Sequence, residues 1–322
     1  MSNETSHKKQ HYISQCYLRA WCDPNAQAHE TPYVWQFPKD GGTPKRKSPK
    51  NIFYEKEMYT IKAPDGSRDL TLEHGLQELE DLFVKVRDSK ISAGKLLTAS
   101  DRLVLCAFLA SVQARTRSQR DHLKGQWGRA LRMMDRMMEA MKRASPEEKK
   151  AMRSFYVPRD DKARGLTYEQ VKRLAAEPLQ ASLESMISIE TPLLFRLELA
   201  ILQTGRATPG FITSDAPCVW FDPERYKRPP LFRAPGLGSP TIEVTLPVTP
   251  NAMILLNRQG LNGYHAIKEE AVEELNRRTR FHAHEHFVVN MNIKKDIWFD
   301  HGQEPEDSWE KQQKLKCGRR VT

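Results

Sequence analysis

Leu103-Val104-Leu105-Cys106-Ala107-Phe108-Leu109 is the stretch whose reading decides the fold. Seven consecutive apolar residues leave no polar face. Ser100 and Asp101 just upstream are good helix N-cap residues, so the run reads as a helix that is apolar all round and belongs in the centre of a core. Before it, Leu72, Leu76, Leu79, Phe83 and Val86 recur at helical spacing and predict a helix over 70–87. After it, the same long helix turns amphipathic. Leu123, Trp127, Leu131, Met134, Met138 and Met141 share one side, and Arg129, Arg132, Arg136 and Arg143 the other.

Working outward, Ser145-Pro146 opens a further helix with proline at its first position, and Thr167-Tyr168-Glu169-Gln170 matches a capping box. Pro178 breaks or restarts that helix. Residues 181–202 again read as helical, with a kink expected at Pro192. The character changes near Gly205: short apolar runs between prolines and glycines read as strands at 211–213, 218–221, 241–247 and 252–256. Residues 223–240, with five prolines, read as a loop. A last helix is expected over 266–280 and a strand over 287–290.

On the N-terminal side, residues 1–10 read as a polar, mobile end. Residues 11–21 read as a short helix or turn with Tyr17, Leu18 and Trp21 on one face, and 33–37 as a strand. Pro38-Lys39-Asp40-Gly41-Gly42 is turn chemistry, 45–50 a basic loop, and 51–61 a second strand carrying Ile52, Phe53 and Tyr59. The sum is a single α+β domain over 11–300. It has a predominantly helical middle (70–204), a strand-rich part (205–290) and a small, mostly antiparallel sheet built from N-terminal and C-terminal strands. Residues 301–322 form a basic tail.

The 322 residues carry 51 Lys and Arg against 41 Asp and Glu, a formal charge of +10. That surplus favours polyanions, nucleic acid foremost, although many ordinary proteins are basic. No stretch approaches the roughly 18 apolar residues of a membrane span. The first ten residues lack the apolar core of a secretory signal. Cys16, Cys22, Cys106, Cys218 and Cys317 are scattered, odd in number and form no C-x-x-C pair, so they read as reduced thiols. A cytoplasmic protein without a membrane partner is expected. G-x-S-x-G, P-loop and G-x-G-x-x-G patterns are absent from the sequence.

Four constellations carry polar chemistry. Thr213-Ser214-Asp215-Ala216-Pro217 presents a carboxylate at a strand edge, or is an Asx-turn and nothing more. Glu73 and Glu80 lie on one helix face, and with Asp215 they would make a carboxylate cluster for a divalent metal ion or for proton transfer. Gln113-Ala114-Arg115-Thr116-Arg117 places arginine directly after a core-like run. Arg115 must then snorkel out or pair with Asp215 or Glu80, which would leave a fork-shaped donor suited to phosphate. Arg117 and His122 also have the R-x4-H spacing of some helical ribonucleases. In Phe281-His282-Ala283-His284-Glu285-His286 the three histidines converge on a metal only if the segment is extended.

As a set these residues resemble a known family. The carriers are His11-Tyr12-Ile13-Ser14-Gln15-x-Tyr17-Leu18-Arg19, Val34-Trp35, Ser48-Pro49-Lys50-Asn51-Ile52, Glu57-x-Tyr59-Thr60, Leu72-Glu73 with Leu79-Glu80, Gln113-x-Arg115-Thr116, Phe211-x-Thr213-Ser214-Asp215-x-Pro217, Leu246-Pro247-x-Thr249-Pro250 and Leu275-Asn276. They are similar to a large bacterial family catalogued as a domain of unknown function, whose members open His-Tyr-Val-Pro-x-x-Tyr-Leu. The likeness spans about residues 11–290. Ser14 stands where proline is usual, and Arg117 where proline often follows the Arg-Thr step. The resemblance nominates His11, Glu80, Gln113, Arg115, Asp215 and Asn276 as motif positions and implies no particular activity.

Two functions are compatible with these readings. One is a metal-dependent nuclease or other enzyme acting on phosphodiesters or nucleotides, of a defence or toxin module. His11, Glu80 and Asp215 would be its catalytic residues, Gln113, Arg115 and Asn276 would bind substrate, and His282, His284 and His286 are the metal candidates. The other is a non-catalytic protein that binds nucleic acid or protein, its polar motifs structural. Its partner, or a second copy, would sit on the helix face from Trp127 to Met141. The two readings divide on whether His11, Arg115 and Asp215 meet at an open cleft.

Overall fold

The computed structural model describes residues 9–27, 29–62, 67–154, 165–205 and 209–300. The basic tail and residues 1–8 lie outside that range. Lys9–His11 is not a loose end: it forms strand β1, paired antiparallel with Tyr54–Lys56, and Gln10 is buried. The opening motif continues as a single helical turn, α1 (Gln15–Leu18), and a 3-10 turn, Arg19–Trp21, which bury Tyr17, Leu18 and Trp21 as their shared face predicts.

Two short strands follow, β2 (Val34–Pro38) and β3 (Lys45–Lys47). The basic segment expected as a loop is therefore β3, an edge strand whose three cationic residues all face solvent, a common way to protect an edge. Strand β4 is Tyr54–Lys56 alone. Ile52, Phe53 and Tyr59 are buried, but they flank it rather than lie in it. Phe53 and Glu57 adopt left-handed backbone, with φ of 56° and 54°, which cuts the strand short. A two-residue ladder joins β5 (Ile61–Lys62) to β6 (Arg68–Asp69).

Helix α2 (Thr71–Val86) buries Leu76, Phe83 and Val86, then runs into a π-helical turn, Arg87–Ile91, that turns Arg87 inward. Helix α3 (Ala99–Ala114) contains the deciding apolar run. Its N-cap is Thr98, with Asp101 completing the capping box at the third helical position. Phe83 and Phe108 stack with centroids 3.7 Å apart, locking α2 onto α3. The long helix expected from the sequence is two helices. It breaks at Arg115-Thr116, where Thr116 Oγ1 caps α4 (Arg117–Arg143) by accepting from the Gln119 amide at 3.2 Å. None of the residues of α4 is buried. Trp127, Leu131 and Met134 are half-buried, whereas Met133 and Met137 stand exposed among the arginines. Helices α5 (Pro146–Ser154) and α6 (Tyr168–Ala176) start at the expected Ser145 and Thr167 caps, whereas α7 (Pro178–Phe195) restarts at Pro178 without a side-chain cap, and Pro192 sits within it.

The stretch expected to continue α7 is instead β7 (Glu198–Thr204), second in a five-stranded sheet. After β8 (Thr213–Ser214) come β9 (Val219–Phe221), β10 (Glu243–Thr249), β11 (Ala252–Asn257) and β12 (Gly263–Ile267). The sheet order is β12-β7-β11-β10-β9, antiparallel except for the β12–β7 pair. Both faces are covered, because Ile201, Ile254 and Leu246 pack with the α3 and α7 side. Ala200, Leu202, Met253 and Leu255 pack on Val272 and Leu275 of α8 (Glu269–His282). A strand buried on both faces reads as an unbroken apolar run, which is why 197–202 looks helical in sequence. The proline-rich loop between β9 and β10 is pinned by buried Asp222, which accepts from Ser239 and Thr241 at 2.7 Å each. A four-stranded antiparallel sheet, β3-β2-β13-β8, joins N-terminal strands to β13 (His286–Val289). The architecture is α+β, as expected from the sequence. Among the described residues no helix is long and apolar enough to cross a membrane.

Candidate functional site

The break between α3 and α4 creates the site. As the last residue before the turn, Arg115 has φ −99° and ψ 6°, and its side chain runs inward rather than snorkelling out. It is 1% exposed, and its Nη1 donates to Glu80 Oε1 at 2.6 Å. Arg115 and Glu80 form one wall of a cleft of about 360 Å³, with His11, Gln15 and Arg19 from the opening motif and Glu73 from α2. The cleft brings together His11, Glu80 and Arg115, three of the six positions that the family resemblance nominates.

Two of the three Arg115 nitrogens, Nε and Nη2, are buried and have no hydrogen-bond partner. They form the side-on edge of the guanidinium, the edge that grips a carboxylate or phosphate with two parallel bonds. Leaving such donors unmet costs on the order of 1–3 kcal/mol each, so natural structures rarely do so without an outside acceptor. Burial opposes the charge of Arg115, but Glu80, with Tyr59 and Cys16, holds its pKa above the ordinary value. The cation stays charged.

His11 is poised differently. Burial pushes its pKa down to about 4, the charges of Arg115 and Lys9 push the same way, and the Lys50 and Pro49 carbonyls only partly oppose them. Its Nδ1 lies 3.4 Å from Gln15 Nε2, and its buried Nε2 lacks a partner in hydrogen-bond geometry. At neutral pH the ring is therefore uncharged. Cys16 Sγ sits 3.7 Å from Glu80 Oε2; burial and that carboxylate raise its pKa, so the thiol stays protonated and is a poor nucleophile. Glu73 accepts from buried Gln10 Nε2 at 2.6 Å.

Asp215 does not join this cleft. Its carboxylate accepts three backbone amides, from His284 at 2.7 Å, Glu285 at 2.7 Å and His286 at 2.9 Å. It fixes the turn between α8 and β13. The expected carboxylate cluster of Glu73, Glu80 and Asp215, and the meeting of His11 with Asp215, therefore do not form. Asn276 is likewise internal: Oδ1 accepts from the Ile212 amide at 3.0 Å and Nδ2 donates to the Gly210 carbonyl at 2.8 Å. Gln113 does not line the cleft; its carbonyl accepts from Thr116 Oγ1 at 3.3 Å. Arg117 binds Glu55 at 2.7 Å and Glu285 at 3.2 Å, and His122 is exposed, so the R-x4-H pair makes no site.

The three histidines do not gather either, because His282 ends α8, His284 lies in the turn and His286 opens β13. Among the described residues one group of metal-ligand type is close enough to share an ion: Asp215, Glu285 and His286, with ligand atoms within 4.8 Å of one another. An ion there would face the three amides that already hold Asp215 and the Arg117 guanidinium on Glu285.

Sequence reading missed a node that ties the motifs together. Tyr17 Oη donates to the Pro247 carbonyl at 2.7 Å and lies 2.6 Å from Thr213 Oγ1, while Trp21 Nε1 donates to the Phe211 carbonyl at 2.9 Å. Tyr17, Thr213 and Pro247 all stand in the quoted motifs, which was the available signal. Arg87, 6% exposed and donating from Nη1 to the Cys16 carbonyl at 3.0 Å, gave none.

No curated protein and no solved structure matches the chain. A family model described as "Protein of unknown function (DUF4238)" matches residues 9–292. The chain belongs to the DUF4238 family.

Proposed function

We propose that this protein recognises the phosphate of a nucleotide or nucleic-acid strand in the Arg115 cleft. The observation that carries the reading is the buried, unpartnered Nε and Nη2 edge of Arg115. Lys9 and Arg19 add positive charge at the same cleft, and the chain as a whole carries +10. Neutral His11 supplies a hydrogen-bonding ring without competing for the anion. Titration calorimetry with inorganic phosphate tests it. Parent protein binds, Arg115→Lys loses at least about tenfold in affinity because a point charge replaces the fork, and Arg19→Ala weakens binding without touching the core. No heat with the parent, or equal affinity in both variants, overturns it.

Metal-dependent phosphodiester cleavage, as by a nuclease of a defence or toxin module, is the second reading. It draws on the Asp215, Glu285 and His286 group. In this reading the ion and the reacting phosphate sit at the Asp215, Glu285 and His286 group, outside the Arg115 cleft. Incubating RNA, single-stranded DNA and plasmid with the protein, with and without Mg²⁺ or Mn²⁺, decides this reading. Cleavage that vanishes in His286→Ala supports it, and unchanged substrates in every condition remove it.

A further inference from the structure

We propose that a second cleft, which shares Arg19 with the first, binds the hydroxyl-bearing sugar attached to that phosphate; this rests on the phosphate reading above. The second cleft has a volume of about 530 Å³, and Arg19 lines both. The strip between them is built: Arg87, in the wall of the second cleft, donates to the carbonyl of Cys16, in the wall of the first. A ligand anchored on Arg115 therefore extends past Arg19 into a prepared space.

The chemistry of that space is specific. Its charged pair is already satisfied, because Arg87 grips Asp88 through Nε at 2.7 Å and Nη2 at 3.2 Å. Apart from the shared Arg19, the remaining polar side chains are neutral: Ser92, Gln203, Thr249, Asn251 and Asn290. Hydroxyls and amides both donate and accept, as sugar hydroxyls do. Asn290 Oδ1 is buried without a partner and lacks only a donor. Among the described residues no aromatic side chain lines the cleft, so none of them offers a nucleobase a stacking surface there. The sugar, free or within a nucleotide, is the shared chemistry.

Calorimetry on the full chain tests this with inorganic phosphate, ribose 5-phosphate and adenosine monophosphate. Ribose 5-phosphate is expected to bind at least about tenfold tighter than phosphate. The double variant Gln203→Ala with Asn251→Ala is expected to remove most of that difference. Both side chains sit at the cleft rather than in the core, and circular dichroism checks the fold. Equal affinity for adenosine monophosphate and ribose 5-phosphate identifies sugar phosphates as a sufficient source. Tighter binding of the nucleotide identifies nucleotides. If phosphate binds but neither sugar compound binds more tightly, or the double variant keeps the full difference, the second cleft is not a sugar site although the first reading stands. If phosphate itself does not bind, the first reading falls, and this one with it.

Discussion

Tyr17 and Thr213, 196 positions apart, meet through their hydroxyl groups at 2.6 Å in a fully buried site. Tyr17 has one proton and gives it to the Pro247 carbonyl, so Thr213 is the donor between the two hydroxyls. Pro247 can occupy β10 because β9 pairs only with Glu243, Val244 and Thr245 and leaves that edge free. The opening motif, the Thr-Ser-Asp motif and the Leu-Pro motif are thus joined at one point.

Removing the Tyr17 hydroxyl leaves a buried carbonyl and a buried hydroxyl unsatisfied. Tyr17→Phe is expected to lower stability by about 1–3 kcal/mol. Urea unfolding measures this, and in a cycle with Thr213→Val the double variant should lose less than the two single variants together.

Asp215 is an anchor for backbone, so its loss should be felt as stability. Asp215→Ala strands three amides and is expected to cost about 3 kcal/mol, seen as a lower urea midpoint. The folded fraction should bind phosphate as the parent does, because Asp215 does not line the Arg115 cleft.

Glu80→Ala takes the counter-ion from a guanidinium that is 1% exposed and should destabilise by about 3–5 kcal/mol. An anion can stand in for the lost carboxylate. Phosphate should therefore raise the melting temperature of Glu80→Ala by more than it raises that of the parent, a difference read directly by thermal unfolding at matched ionic strength.

The His11 pKa falls from 6.5 to about 4 on folding. Below pH 6.5 the unfolded chain takes up a proton that the folded chain refuses until about pH 4. The contribution of His11 to stability is therefore full above pH 6.5 and is lost as pH falls towards 4, by at most about 3 kcal/mol. Proton NMR should show the His11 ring still neutral at pH 5, and in a His11→Gln variant this component of the acid dependence should be missing.

Gly210 has φ 81°, and a Cβ on it would lie 2.2 Å from the Pro250 carbonyl oxygen, which already accepts from the Phe211 amide at 2.7 Å. Gly210→Ala is expected to cost at least about 2 kcal/mol, from strain and from the displaced turn. Chemical denaturation measures it; a change below about 0.5 kcal/mol would mean that the turn relaxes freely.

The sequence by itself determined what depends on neighbours along the chain. Helical spacing marked α2, the caps at Ser145 and Thr167 started α5 and α6, and Gly-Pro punctuation marked the strand-rich part. It also narrowed the partner of Arg115 to Asp215 or Glu80, because a charge beside an apolar run has few places to go, and the packed chain chose Glu80. Tertiary structure alone decided the rest. Whether 198–204 was strand or helix turned on a second apolar face supplied by α8, seventy residues later. Whether Asp215 faced a ligand or a backbone turned on three amides of a turn that no local pattern announces. Periodicity records which face of a segment is apolar; which partner meets a polar side chain is a property of the packed chain.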